Sequence, residues 1–161
     1  MSKHTIVRLD NVMGTKIPGF LRSVKYGTAA SDENLAEVDN GRIVELGAIV
    51  AGSRDVYYAT DKTTTAAIGK VIAKETAGLV EYFVVEFYKD ADFAVIASPE
   101  VMNEGYIRNL SEFYNKKGTI ARAYIPHEYD VISFTQEGIE ETIAVGDEVI
   151  ASSGKLKKKS E

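Results

Sequence analysis

The residues with the strongest chemical character stand together in "IPHEYDVISFT" (125–135), where His127, Glu128, Tyr129 and Asp130 fill four consecutive positions. A histidine beside carboxylates is the combination used in general acid–base and triad chemistry. In one continuous strand, His127 and Tyr129 would face one side and Glu128 and Asp130 the other, so no triad forms within the segment. In a turn, all four side chains would point outward to water. The flanks favour the turn. "TIARAYI" and "VISFT" are both strand-like, Pro126 removes a ladder donor, and Asp130 suits the step from turn to strand. The expectation is the loop of a β-hairpin.

Other candidates are sparser. His4 and His127 lie at opposite ends of the chain and offer a metal at most two imidazoles. Carboxylates can complete a two-histidine, one-carboxylate centre, but no i, i+2 or i, i+4 histidine pair asks for one. The carboxylate pairs Asp90/Asp92 and Glu140-Glu141 fall in turn-like pieces, where solvated side chains are the default. There is no G-x-x-x-x-G-K-[ST], G-x-G-x-x-G or G-x-S-x-G. Tyr57, Tyr58, Tyr82, Tyr88, Tyr124 and Tyr129 could stack bases, but a single-strand platform has basic neighbours. These tyrosines lie beside Asp55, Asp61, Glu81, Glu86 and Glu128. Sheet packing and subunit contacts suit them better. No catalytic residue, cofactor or metal ligand is assigned.

The elements that would position these residues are mostly strands. A chain of 161 residues makes one domain with a core that needs no staples. With no cysteine it has no disulfide or thiol nucleophile, in keeping with a reducing cytoplasm. Acids and bases are interspersed around a net charge of −5, except at the end, where Lys155, Lys157, Lys158 and Lys159 crowd together. That tail, 154–161, reads as a solvated terminus, with a phosphate-binding tail as the sharper alternative. The longest apolar stretch, "LVEYFVVEF", is broken by Glu81 and Glu86 and is too short to span a bilayer. The first residues lack the apolar core of a secretory signal.

Residues 1–30 read as a strand ("TIVRLDNV") followed by an extended arm or irregular loop punctuated by Gly14, Pro18, Gly19 and Gly27. Residues 31–153 read as a β-rich domain. Asn40-Gly41 is a turn leading into "RIVELGAIV", followed by strand-like runs in "RDVYYATD", "LVEYFVVEFYKDADFAVIAS" and "AVGDEVIAS". One α-helix is expected near 99–117, capped by Ser98, opened by Pro99 and closed by Lys116, Lys117 and Gly118. The fold class is therefore mostly β with one helix (α+β): a small β-barrel or sandwich with a helical insertion and an extended N-terminal arm.

Three stretches, "IPGFLRSVKYGTAASDENLAEVDNGRIVELG", "SPEVMNEGYIRNLSEFYNKKGTIARAYIPHEYDVISFTQEGI" and "VGDEVIAS", together resemble a family of small structural proteins of tailed bacteriophages. The family is encoded near the head genes and is associated with capsid decoration or head stabilisation. The likeness is one of pattern and covers most of the chain. It implies a non-enzymatic virion protein on the capsid surface, present in the host cytoplasm during assembly. It also implies the major capsid protein as partner and self-association, as a trimer at a lattice symmetry axis, with no direct contact to nucleic acid or membrane. The arm "KIPGFLRSVKYG" mixes apolar anchors with cations, so Ile17, Phe20, Leu21, Arg22 and Lys25 are the candidate capsid or subunit contacts. The alternative for the arm is an ordinary loop over one end of the barrel. Two other functions compete: a tail or head–tail joining component, and a small cytoplasmic ligand-binding barrel or enzyme. The last requires a buried pocket that collects His127, Tyr124 and a carboxylate.

Overall fold

The structure, a computed structural model, describes residues 3–100 and 110–161. It is built from two β layers. A closed five-stranded barrel runs in the order β2 (Leu21–Tyr26), β4 (Val56–Asp61), β3 (Ile43–Ile49), β7 (Ala94–Ile96), β8 (Ala121–Tyr124). A six-stranded sheet runs β1 (Val7–Asn11), β9 (Val131–Phe134), β6 (Val80–Phe87), β5 (Gly69–Ala77), β10 (Glu148–Ser152), β11 (Lys155–Lys158). All pairings are antiparallel except β2 with β4. The expected mostly-β architecture is present, and of the two forms considered it is the barrel.

Strand alternation explains how one wall serves two cores. In β3, Ile43 faces the sheet while Val44 faces the barrel interior. In β7, Val95 faces the sheet while Ala94 and Ile96 face inward, and in β8 Tyr124 opposes Ala121 and Ala123. The barrel interior is filled by small side chains (Ala59, Ala94, Ala121, Ala123) around Val24, Val44 and Ile96, as a narrow five-stranded bore demands. The larger core between barrel and sheet holds Phe83, Phe87, Phe93, Ile132, Phe134 and Leu156. Asn40-Gly41 forms the expected turn. Gly41 has φ +86°, and a Cβ there would lie 2.8 Å from the Thr5 methyl.

Four expectations need correction. First, the segment read as an arm contains β2, a barrel strand in which Val24 and Tyr26 are buried on either side of Lys25. The glycines and Pro18 shape only two short 3-10 turns before it, Met13–Thr15 and Pro18–Phe20. Second, the middle of the helix expected near 99–117, residues 101–109, lies outside the described residues. Its described flanks are not α-helical: Leu110–Glu112 is a single 3-10 turn, and Asn115 bridges to Val38. Ser98 is engaged elsewhere, its hydroxyl accepting from the Arg122 N–H and its N–H donating to Asn40. Third, β8 and β9 belong to different layers, as do β6 and β7, so neither connection is a hairpin loop. Fourth, the basic tail is not a frayed end. It forms β11, with Leu156 fully buried and Lys157, Lys158 and Lys159 near Glu140, Asp147 and Glu148.

The long hairpin β5–β6 turns at Gly78-Leu79, and among the described residues β10 pairs with β5 only at Gly69 and Lys70. Past a bulge between Val71 and Ala73, Lys74 stands opposite Phe83, with its ammonium 4.9 Å from the ring centre and 3.0 Å from Glu81. A bulge is one device that stops a strand edge from pairing with another chain.

Candidate functional site

The "HEYD" segment is a turn, as its sequence indicates, but its side chains do not all face water. It carries the chain from the barrel (β8) to the sheet (β9) and is tied to two other segments. Asp130 is buried, and its carboxylate accepts from the Met13 N–H at 2.6 Å and the His127 N–H at 2.8 Å. The His127 ring meets Phe20 edge-on with centroids 3.8 Å apart, and its Nδ1 lies 2.9 Å from Asp90 Oδ1. Asp90 also accepts from the Glu128 N–H, and the Ala91 N–H donates to the Pro126 carbonyl. The Tyr129 N–H reaches the Phe87 carbonyl, while the Phe87 N–H reaches that of Asp130. The turn, the 3-10 turns ahead of β2 and the β6–β7 connection are thus fastened at one corner.

This arrangement latches segments together and is poorly placed for acid–base work. Asp90 as a carboxylate can only accept, so His127 Nδ1 carries a hydrogen. His127 Nε2 is buried with no hydrogen-bond partner among the described residues, out of reach of a substrate proton. The hydrogen bond from His127, aided by the Glu128 N–H, holds Asp90 below the usual carboxylate range. A general acid needs the opposite shift. Asp92 lies 3.5 Å from Lys62, so the two acids of "DAD" are engaged separately. Glu140 and Glu141 are both exposed. Tyr124 is buried in the core between the layers, and three clefts of the described surface are lined by other residues. Among the described residues no cluster of three or more histidine, aspartate or glutamate side chains is arranged to hold a metal.

The structure adds a polar network with no local signature in the sequence. Arg42, just before β3, forms a two-pronged contact with Asp61 at the end of β4, with Nε at 2.7 Å and Nη2 at 2.6 Å. The Tyr26 hydroxyl donates to the same carboxylate at 2.8 Å. Burial, then this hydrogen bond to an anion, raises the Tyr26 phenol above its ordinary value. Gly154, in the β10–β11 turn with φ +80°, lies directly over the pair. The network ties three barrel segments together beneath the β10–β11 turn, beside a cleft of about 230 Å³ lined by Glu37, Asp39, Gly138 and Lys155.

The candidate contact residues run from the 3-10 turns along β2 and do not share one environment. Ile17 is 41% exposed, Phe20 is half-buried on His127, and Leu21 packs against the core between the layers. Arg22 lies over the Tyr57 ring at 6.0 Å and donates to the Leu21 carbonyl, while Lys25 stands 3.9 Å from Asp32. The tyrosines read as a possible stacking surface are dispersed. Tyr82 and Tyr124 are buried, and the hydroxyls of Tyr58 and Tyr88 bond Asp32 and Glu148.

Taken together, the fold and site define a two-layer β protein whose most reactive residues serve as fasteners. No family model matches the chain, and no curated protein or solved structure matches it.

Proposed function

We propose that the chain is a structural protein of a tailed-bacteriophage virion that binds the outer surface of the head and stabilises the capsid lattice, with the major capsid protein as its partner. The observation that carries this reading is the likeness of pattern along most of the sequence, from "IPGFLRSVKYG" to "VGDEVIAS". The engagement of His127, Asp130 and Asp90 in an internal latch supports a non-enzymatic role. A rigid corner bearing Ile17, Phe20, Leu21 and Arg22 would dock with little loss of conformational freedom. A subunit that binds the assembled shell and not the free capsid protein stabilises the shell by mass action.

The test is the protein composition of gradient-purified particles from the source culture. Hundreds of copies per particle, in step with the major capsid protein, is the expected result. A handful of copies moves the protein to the tail or the head–tail junction. Absence from particles, with the chain left in the soluble lysate, overturns the virion reading in favour of a ligand-binding barrel.

A further inference from the structure

Two arginines are spent on acids: Arg8 on Asp10 and Glu75, and Arg42 on Asp61. Arg22 and Arg54 have no ion-pair partner among the described residues, and they line one cleft of about 230 Å³ with Leu21, Ser23, Asp55 and Tyr57. Arg22 is half-buried and held in place. Strand alternation turns it to the same side of β2 as Val24 and Tyr26, which fill the barrel, so it stands at one end of the bore. Its Nη1 donates to the Gly19 and Leu21 carbonyls, and its guanidinium lies 6.0 Å from the centre of the Tyr57 ring. Those contacts leave the Nε–Nη2 edge without an acceptor among the described residues. Arg42 applies that same edge to Asp61 through two hydrogen bonds. A guanidinium pinned by neutral groups, with its two-pronged edge unused, is a fork preorganised for an anion.

The charges around the cleft are unbalanced. Arg54 is exposed on the β3–β4 loop, where the Ser53 hydroxyl accepts from the Val56 N–H. One acid lines the cleft, Asp55, which is exposed and forms no ion pair with either arginine. On the neighbouring strand, Arg122 stands in register with Ser23, exposed and without an ion-pair partner among the described residues. It does not line the cleft, but it adds to the positive field there. Lys25, two residues along β2, is offset by Asp32.

We propose that this cleft at the end of the barrel binds a phosphoryl group. The two forks select it. A carboxylate has two oxygens and is filled by one guanidinium edge, whereas a tetrahedral phosphate has oxygens enough for two. Two guanidinium charges against the single carboxylate of Asp55 leave the cleft cationic, as a phosphate site requires. Its small volume admits the phosphoryl group with little attached to it, and the chain's net charge of −5 opposes a long polyanion. Free phosphate and a small phosphate monoester share this chemistry. The site is inferred from the cleft alone and does not rest on the virion reading, so either can fail without the other.

Titration of the isotope-labelled full chain with inorganic phosphate, followed by amide chemical shifts at constant pH and ionic strength, tests the proposal. Thermal unfolding is run on each variant. The expected result is a saturable shift of the amides of residues 21–23 and 54–57, with a Kd of about 1 mM. Arg54→Gln should weaken binding by about tenfold. Arg54 is exposed and has no hydrogen-bond or ion-pair partner among the described residues, so this variant keeps its thermal stability. Arg22→Lys keeps the charge and loses the fork, and should also weaken binding by about tenfold. Asp55→Asn removes the opposing carboxylate and should tighten it by about threefold. Methyl phosphate that binds at least as well as inorganic phosphate assigns the site to phosphate monoesters, and weaker binding assigns it to the free ion. Acetate that shifts the same amides as strongly as phosphate overturns the proposal. So do shifts that grow linearly without saturation, or binding that Arg54→Gln and Arg22→Lys both leave unchanged.

Discussion

Asp130 carries more structural weight than any other residue of the turn. It is buried, and two backbone N–H groups from separate segments converge on its carboxylate. Asp130→Ala leaves both donors without an acceptor and should lower stability by about 2–4 kcal/mol, read as a drop in the urea midpoint with an unchanged m-value. Exposed carboxylates set a separate pH dependence. Asp147 is held below its ordinary range first by Lys158 and then by the Ala144 N–H, and Glu148 first by the Tyr88 hydroxyl. With Asp90, these groups contribute stability that is complete above their unfolded values, near pH 4, and is lost as pH falls through their lower folded values. Urea midpoints should therefore decline below about pH 4, and Asp147→Asn should make that decline shallower. Had the midpoints risen on acidification, the assignment of these contacts would be wrong. At this scale the sequence was half legible. Pro126 and Asp130 mark "HEYD" as a turn, but nothing local reveals that Asp130 is buried, because its partner Met13 lies 117 positions away.

Elements with a two-residue period were the most readable, since alternation such as Val44 against Glu45 or Val149 against Glu148 depends only on neighbouring residues. The strand β2 was hidden by the glycines and Pro18 ahead of it, and β11 by the charge of its lysines. Lys157, Lys158 and Lys159 each have the ammonium near an acid of another segment while Leu156 alone enters the core. Pairing between layers was not legible. "TIARAYI" and "DVISFT" look like the two arms of a hairpin, and only the destinations of Tyr124 and Phe134 distinguish that from a crossing. The joint at Gly154 allows a test at this scale. A Cβ there would lie 2.5 Å from Asp61 Oδ1 and 2.6 Å from Arg42 Nε, at φ +80°. Gly154→Ala should cost about 2–4 kcal/mol, combining backbone strain with overpacking. Gly52 has the same φ with open space around it, so Gly52→Ala should cost only about 1 kcal/mol. Equal losses in chemical denaturation would mean that the Arg42–Asp61 joint yields freely.

For the molecule as a whole, the shared wall β3–β7–β8 makes two cores interdependent. Removing the sheet exposes Ile43, Val95 and Tyr124, while opening the barrel removes the support behind them. Ile96→Ala in the barrel and Phe134→Ala in the sheet should each cost about 2–5 kcal/mol. Both should shift one common transition, followed by far-ultraviolet circular dichroism and tyrosine fluorescence together. Two separated transitions in either variant would show that the layers unfold independently. The same wiring sets a timetable for synthesis. Among the described residues β1 has β9 as its only strand neighbour, and the Ile6 N–H bonds the Thr135 hydroxyl 129 positions later. At about 5–20 residues per second on the ribosome, the first strand waits several seconds for its partner to be made. The barrel likewise stays open until β8 emerges. A nascent chain of this design carries the apolar residues of β1 without their strand partner until residues 131–134 have been made. It is then most vulnerable to capture by chaperones or to degradation, and most sensitive to the pace at which codons 121–135 are read.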